Sequence, residues 1–151
     1  MTDLRIQIAT PADLDAVAPL FDAYRQFYEQ PADAALARRF IGDRLRRRES
    51  VILLATNVDG QALGFCQLYP SFCSVEAVPI YALYDLFVAP AARRSGVGQA
   101  LLRAAERHAA ANGVSRMDLT TAKTNQTAQA VYEGLGWVRD DVFHAYSRRV
   151  A

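Results

Sequence analysis

The sequence has few cysteines and no long apolar run. Its two cysteines, Cys66 and Cys73, are too few for a disulfide framework, and Cys66 lies in an apolar stretch that is typical of a buried thiol. No stretch approaches the ~18–20 apolar residues of a membrane-spanning helix. The first five residues lack the basic and then continuously apolar layout of a signal peptide. We therefore expect a cytoplasmic protein without a membrane partner.

An excess of charge is also absent, because 17 basic residues are balanced by 16 acidic ones. A formal net charge of +1 gives no electrostatic reason to expect nucleic acid or an anionic membrane as the main partner. The basic run 44–48 is typical of a solvated helix end, whose cations favour the negative terminus of the helix. A nucleic-acid patch is the alternative interpretation of this run. We expect no nucleic-acid partner.

The chain also lacks repeats, low-complexity linkers and breaks in composition, which predicts a single domain over residues 1–151. Alternating or continuously apolar runs predict strands at 4–8, 51–55, 63–69, 79–88, 117–121 and 142–147. Helix signals predict helices from Thr10 to about Tyr28, from about Asp33 to Arg48, from the glycine loop to Asn112, and from Asn125 to about Leu135. This order is typical of a mixed sheet flanked by helices.

The most informative segment is the glycine loop, Arg93-x-x-Gly96-x-Gly98, which follows a strand and a stop at Pro90. Glycines leave backbone N–H groups uncovered, and the following helix adds unpaired donors and the positive end of its dipole. Such a loop is typical of an anion site suited to a pyrophosphate. A dinucleotide fingerprint would need glycine in place of Leu101, and a P-loop would need a lysine in the loop, whereas the only lysine is Lys123. A tight turn that serves packing alone is the remaining alternative.

A second group of residues supports a cofactor site. Asn125, Ala128 and Tyr132 fall at i, i+3 and i+7, which places them on one face of a two-turn helix. A polar cap, a small residue and a phenol on one face fit the lining of a narrow cofactor channel. Core packing is the alternative for a lone tyrosine at this spacing. The combination with the glycine loop favours the cofactor channel.

With these motifs the chain resembles the GNAT N-acetyltransferase superfamily over nearly its whole length. The resemblance is carried by the blocks 85–90, 93–102 and 125–137 in this order and spacing, with Trp137 where the family has phenylalanine. It implies an α+β fold with a mixed, mostly antiparallel sheet of about six to seven strands, splayed at its centre and flanked by about four helices. It also implies acetyl-CoA as co-substrate and no metal.

The resemblance further implies how acetyl-CoA is held. The main chain of Leu86 and Val88 would pair with the pantetheine arm, and the pyrophosphate would lie on the amides of residues 94–98. Asn125 would contact the pantetheine, and Tyr132 would approach the sulfur. The complete set of expected cofactor residues is Leu86, Phe87, Val88, Arg93, Arg94, Ser95, Gly96, Val97, Gly98, Gln99, Asn125, Ala128 and Tyr132.

The implied reaction is the attack of a neutral amine on the thioester, with no covalent enzyme intermediate. Tyr132 is the expected acid that protonates the leaving thiolate, and a backbone N–H near Leu86 or Phe87 would polarise the carbonyl. The base that takes a proton from the ammonium is left open between Asp85 and Glu76, acting directly or through water. For Asp85 a structural role, such as capping a backbone amide, is the alternative.

The acceptor pocket is expected to be aromatic and acidic, which suits the primary amine of a cationic small molecule or peptide. Its expected residues are Tyr24, Phe27, Tyr28, Glu29, Tyr81 and Tyr84, with hydrophobic packing as the alternative for Phe27. A GNAT-like domain that binds an acyl-CoA as a sensor, without catalysis, is the alternative function. Asn125 and Tyr132 favour the enzyme, because a binding module has no need of an acid near sulfur. Pairing of two copies through the C-terminal strand is left open.

Overall fold

The structure is a computed structural model and describes residues 3–151. The chain divides into two compact units, Met1–Leu119 and Thr120–Ala151. The first unit holds a five-stranded sheet in the order β1-β2-β3-β4-β5 with three of the helices, and the second unit holds the fourth helix. The α+β fold is therefore confirmed, with five strands rather than the expected six to seven in the part of the chain that the structure describes.

The sheet is antiparallel between neighbours except for its last pair, β4 and β5, which run parallel. Its strands are β1 (Arg5–Ile8), β2 (Val51–Thr56), β3 (Ala62–Cys73), β4 (Val78–Val88) and β5 (Arg116–Asp118). The helices are α1 (Leu14–Phe27), α2 (Ala34–Arg47), α3 (Val97–Ala111) and α4 (Gln126–Gly134). A 3₁₀ turn, Pro11–Asp13, precedes α1, and a second one, Pro90–Ala92, precedes the glycine loop.

The helix starts follow the capping signals of the sequence. Thr10 accepts a hydrogen bond from the Ala12 amide at 3.3 Å, and the Asp13 carboxylate accepts one from the Thr10 amide at 2.8 Å. Asp33 accepts from the Leu36 amide at 3.0 Å and so caps α2. These bonds satisfy backbone donors that have no partner inside the helix. The expected starts of both helices are confirmed.

The apolar residues of the strands alternate between two helical layers. Ile52 and Leu54 of β2 and Phe65 of β3 belong to the core that α1 and α2 cover. Leu53 and Cys66, which point to the other face because a strand alternates its side chains, are also buried, and α3 contacts β2 and β3 there. Burial raises the pKa of the Cys66 thiol to about 12, so this cysteine is the buried, unreactive thiol that its apolar surroundings predict.

A β-bulge in β4 changes the face that its side chains occupy. Gln67 pairs with Asp85 while Leu68 pairs with Leu83, so Tyr84 is an extra residue that is opposed by none on β3. Beyond the bulge, Asp85 lies on the α1 face beside Gln67. Before it, Tyr81 lies on the other face, where its ring stacks on His108 of α3 at 6.1 Å between centroids. The bulge therefore separates two groups of side chains along one strand.

The expected strand 117–121 is shorter in the structure. It is present as β5, but it ends at Asp118 and pairs only with Ile80–Ala82 of β4. Among the described residues, no strand pairs with the β5 side of β4 from Leu83 to Val88. This half of β4 therefore presents a free backbone edge, which is a template for an added extended chain.

The expected strand 142–147 is wrong, because the segment is irregular chain that pairs with no strand within the described residues. A strand needs a neighbour to satisfy its backbone groups, and the second unit contains no strand within the described residues. Its apolar side chains are consequently exposed, including those of Val142, Phe143 and Tyr146. The segment has the apolar and aromatic residues typical of a strand, but a local pattern does not supply the partner.

Candidate active site

The glycine loop has the backbone of an anion-binding site. Arg94 and Gly96 adopt left-handed conformations, with φ of 64° and 83°. The amides of residues 94–99 have no hydrogen-bond acceptor within the described part of the chain, and α3 begins at Val97. A Cβ placed on Gly96 would meet nothing within 4 Å, so the loop is open on that side. Unpaired donors at a helix N-terminus fit the pyrophosphate of a coenzyme.

Arg93 holds the loop against the first unit. Its Nε donates a hydrogen bond to the Val88 carbonyl oxygen at 3.0 Å. Its guanidinium lies 5.5 Å from the ring centroid of Phe87 and 5.7 Å from that of Phe27. Arg93 thus links the end of β4 to α1, while the side chain of Arg94 is exposed. The Ser95 hydroxyl donates a hydrogen bond to the Ala92 carbonyl oxygen, which fixes the side chain of Ser95 against the preceding turn.

The expected cofactor residues of the first unit are contiguous. Leu86, Phe87 and Val88 end β4 on its free edge, and residues 93–99 follow directly through the 3₁₀ turn. Phe87 is buried in the core, which fixes the backbone around it. Gly64 of β3 pairs with Val88, and a Cβ there would lie 2.7 Å from the Phe87 carbonyl oxygen. Glycine at this position is therefore required for the close approach of β3 to the end of β4.

Asp85 lies in a buried hydrogen-bond network on the α1 face. It is 5% exposed and accepts a hydrogen bond on Oδ2 from Gln67 Nε2 at 2.5 Å. Gln67 Oε1 in turn accepts from the Ser50 hydroxyl at 2.7 Å. Burial raises the pKa of Asp85, and the hydrogen bonds from Gln67 and the Tyr24 hydroxyl lower it in part. A carboxyl with a raised pKa, held by neutral donors, has the properties of a proton acceptor.

Aromatic side chains surround this carboxyl. The ring of Tyr24 lies 5.1 Å from that of Tyr28, and the ring of Phe27 lies 5.3 Å from Tyr28. The oxygen of the Tyr24 hydroxyl lies 3.3 Å from the Tyr84 carbonyl oxygen, which competes with Asp85 for its one proton, and the Tyr84 ring packs 5.5 Å from Tyr69. Burial, followed by the charge of Asp85, raises the pKa of Tyr24, so its phenol stays protonated at neutral pH.

The structure brings together four of the six expected acceptor residues: Tyr24, Phe27, Tyr28 and Tyr84. Phe27, Tyr28 and Tyr84 each have more than half of their surface exposed, so the cluster is open to an incoming molecule. Glu29 follows on the same segment, exposed and in a left-handed conformation (φ 64°). Tyr81 is placed apart by the bulge, against His108.

Glu76 lies at the other end of β4 from Asp85. Its carboxylate forms an exposed ion pair with Arg116 at 2.7 Å, and Arg116 also binds Asp118 at 2.9 Å. Asp85 is seven residues along β4 from Val78, a distance of roughly 23 Å at the rise of an extended strand. The two candidate bases therefore lie at opposite ends of β4, and of these two only Asp85 lies beside the aromatic cluster.

The expected residues of the second unit lie on α4. Asn125 caps this helix through its Oδ1, which accepts from the Ala128 amide at 3.2 Å. The Tyr132 ring packs 6.1 Å from that of Trp137, whose amide donates to the Tyr132 carbonyl oxygen at 3.0 Å. The start of α4 is confirmed, and Asn125, Ala128 and Tyr132 share one side of the helix by their spacing.

Two residues of the site were missed by sequence reasoning: Gln67 and Ser50. Gln67 was the only polar side chain between Gly64 and Leu68 in an otherwise apolar strand, and that exception was the available signal. Nothing in the sequence distinguishes Ser50 from an ordinary residue between a helix and a strand. In residues 3–151, no group of three or more His, Cys, Asp or Glu is arranged to hold a metal ion, and no helix is long and apolar enough to cross a membrane.

Comparisons with known proteins agree on one family. Residues 17–137 match the model of the acetyltransferase (GNAT) family. An uncharacterised N-acetyltransferase, YhfO, of Bacillus subtilis (strain 168) is 44% identical over 147 residues, which covers 97% of this chain and 98% of that protein. The crystal structure of a probable acetyltransferase has a TM-score of 0.91 and 42% identity, covering 97% of this chain and 98% of the other. The aminoglycoside N(6')-acetyltransferase type 1 of Klebsiella aerogenes is 35% identical over 94 residues, which is 60% of each chain.

Proposed function

This chain belongs to the GNAT family of acetyltransferases and is an N-acetyltransferase, and we propose that it transfers the acetyl group of acetyl-CoA to the primary amine of a cationic small molecule or peptide. The main support for the proposal is the open loop at residues 94–99, whose amides are unpaired. This loop follows directly after the free edge of β4. Asp85 lies on that same strand, next to an open aromatic cluster. We place this activity in a single cytoplasmic domain over residues 1–151.

The proposed co-substrate is held by backbone rather than by side chains. The edge of β4 at Leu86 and Val88 offers main-chain groups to an extended pantetheine arm, and the amides of 94–98 offer donors to the pyrophosphate. The exposed guanidinium of Arg94 adds positive charge beside them. When bound, acetyl-CoA supplies an activated thioester, and an N–H near Leu86 or Phe87 polarises its carbonyl.

Asp85 is the proposed base. An amine attacks only in its neutral form, so an ammonium must lose a proton, and Asp85 takes it directly or through one water. Its raised pKa makes it a better proton acceptor than an exposed carboxylate. The half-exposed rings of Phe27 and Tyr28 and the carboxylate of Glu29 favour a cationic acceptor nearby. The acceptor of the aminoglycoside acetyltransferase that this chain resembles in part is consistent with such a class.

Tyr132 is the proposed acid, and the Tyr132→Phe variant tests that role. We expect kcat to fall about 100-fold while KM for acetyl-CoA changes little, because only the proton for the leaving thiolate is removed. The ring packing on Trp137 is retained in phenylalanine, so the fold is preserved. Steady-state rates of thiol release measure both constants. An unchanged kcat would remove Tyr132 from the acid role.

The experiment that tests the proposed function is thiol release from acetyl-CoA over a panel of amines: polyamines, amino acids, aminoglycosides and short peptides. Amine-dependent release with at least one acceptor, and mass spectrometry showing that acceptor acetylated on nitrogen, is the expected result. The alternative is an acyl-CoA sensor of GNAT-like fold. Tight binding of acetyl-CoA with no release for any acceptor would favour that sensor over the enzyme.

Association of two copies through residues 142–147 is also part of the proposal. This segment carries exposed apolar side chains and has no partner strand in its own unit, so a second copy would satisfy its backbone. We expect sedimentation to give about twice the 16.7 kDa mass of one chain, and Phe143→Asp to give the single mass. Val75→Asp, at an equally exposed apolar residue of the β3–β4 turn, is the control and should leave the mass unchanged. A single mass for the parent chain would contradict this association.

A further inference from the structure

Two polar side chains are buried in the middle of the sheet. Gln67 is 0% exposed and Asp85 is 5% exposed, whereas the other buried residues among those the structure describes are apolar. Burying a polar group is costly unless its hydrogen bonds are made. The pair faces the helix α1, which carries Tyr24 and Phe27 of the aromatic cluster. An apolar pair would fill the same space without that cost. The burial of this polar pair beside the aromatic cluster therefore indicates a role other than packing.

The hydrogen bonds that link Ser50, Gln67 and Asp85 all donate in the direction of the Asp85 carboxylate. An ionised carboxylate only accepts, so the Gln67 side chain must turn its NH₂ to Asp85 and its carbonyl oxygen away. The Ser50 hydroxyl donates to that carbonyl oxygen at 2.7 Å, which closes the opposite end. Ser50 therefore fixes the orientation of Gln67, and Gln67 fixes one oxygen of Asp85. This series of hydrogen bonds starts at the half-buried Ser50, just before β2, and ends at Asp85 beside the aromatic cluster.

Within residues 3–151, no cationic side chain forms an ion pair with Asp85. Its hydrogen-bond partners are the neutral Gln67 and Tyr24. The other titratable groups around it are two residues of β3, one residue just after α1, one residue of β4 and an ion pair at 3.0 Å: Tyr69, Cys66, Tyr28, Tyr84 and Arg44 with Glu49. Arg44 is engaged by Glu49 and by the Phe40 ring. The ionised form of Asp85 thus depends on neutral donors, of which Gln67 makes the shortest bond.

We propose that Gln67, held by Ser50, is a positioning residue that keeps the Asp85 carboxylate ionised and turned in one direction, ready to take the proton of the acceptor amine. This inference rests on the proposed function and deepens it. In the step, one proton leaves the ammonium nitrogen and joins a carboxylate oxygen of Asp85, which later returns it to solvent. Gln67 keeps its own protons throughout and touches neither the amine nor acetyl-CoA.

The test compares Gln67→Leu with Gln61→Leu. Leucine at 67 removes the donor at similar volume, while Gln61 lies in the exposed turn before β3 and bonds only to Asn57. We expect the pKa of Asp85 to rise further in Gln67→Leu, because its burial is then no longer opposed by that bond. The acid limb of kcat/KM should move to higher pH, with a loss of about tenfold at a pH on that limb that is recovered as pH rises.

The readout of Asp85 does not require activity. ¹³C-carboxyl aspartate labelling follows its titration by NMR, and the signal is assigned by its disappearance in Asp85→Asn. If the parent chain acetylates no amine, the proposed function fails, yet the titration still shows whether Gln67 sets the pKa. If the parent chain is active and neither the titration nor the acid limb moves in Gln67→Leu, the positioning role is overturned. A moved titration with an unmoved acid limb overturns it as well.

Ser50 provides a milder test if Gln67→Leu does not fold. Ser50→Ala leaves Gln67 in place but frees its carbonyl oxygen, so we expect a smaller shift of the Asp85 titration and of the acid limb in the same direction. Ser50→Thr keeps the hydroxyl and should restore the parent profile. A role confined to packing would lower the thermal midpoint of Ser50→Ala without moving the pH profile, and that result would also count against the inference.

Discussion

We expect a Gly96→Glu variant to bind coenzyme A at least about 100-fold more weakly than the parent chain, a loss that calorimetry measures. The added side chain emerges from an open loop whose amides at 94–99 are unpaired, so its carboxylate competes for the donors that would hold a pyrophosphate. Its negative charge also repels the phosphates directly. Acetyl transfer is lost with the binding at ordinary acetyl-CoA concentrations.

Gly60→Glu is the matched control for this variant. Gly60 has a φ of 81°, almost that of Gly96, and a Cβ there also meets nothing within 4 Å. It carries the same backbone strain and the same added charge, but it lies in the β2–β3 turn. We expect Gly60→Glu to bind coenzyme A as the parent chain does. Equal affinity of Gly96→Glu and Gly60→Glu would refute the assignment of the loop to the pyrophosphate.

We expect Gly64→Ala to lower the free energy of unfolding by about 2–3 kcal/mol, the cost of forcing an extra group into a closely packed site. The Cβ would lie 2.7 Å from the Phe87 carbonyl oxygen and 3.2 Å from the Val88 Cα, both of them backbone atoms. It would also lie 3.4 Å from the Val97 side chain at the start of α3. The backbone has to move apart, and urea denaturation measures the loss.

Gly134→Ala provides the comparison, since Gly134 lies in α4, has no positive φ and leaves open space for a Cβ. Alanine favours a helix over glycine, so this variant should be neutral or slightly more stable. Because Gly64 pairs with Val88 beside the loop, Gly64→Ala should also weaken coenzyme A binding. A stability equal to that of the parent chain would mean that β3 and β4 are not in this close contact.

The elements near the site could be predicted because their signals are local. Thr10 and Asp33 begin helices through bonds to amides two or three residues away, and Asn125 does the same for α4. The glycine loop also carries its signal in consecutive residues, and its left-handed Gly96 agrees with that signal. Each of these features is decided within one turn of chain, so one sequence is enough to recognise it.

The features that could not be predicted depend on partners distant in sequence. The bulge at Tyr84 exists only in the register of β4 against β3, and it places Tyr81 on the α3 face. The contact of Gln67 with Asp85 spans 18 residues and follows from the same register. The segment 142–147 has a strand pattern but no partner in its unit, which no local pattern reveals. The third strand also extends to Cys73, because β4 continues to pair with it past the end of β2.

The single extra residue in β4 changes which positions of the strand face each of the two helical layers. Before Tyr84 the odd-numbered side chains face α3, as Tyr81 does, and after it the odd-numbered side chains face α1, as Asp85 does. Deleting Tyr84 would restore a uniform alternation and leave both groups on their present faces, because Leu83 and Asp85 already pair with consecutive residues of β3. The deletion would remove the Tyr84 carbonyl oxygen that lies 3.3 Å from the Tyr24 hydroxyl, so a change of one codon alters the support of the acceptor cluster without turning Asp85 away from it.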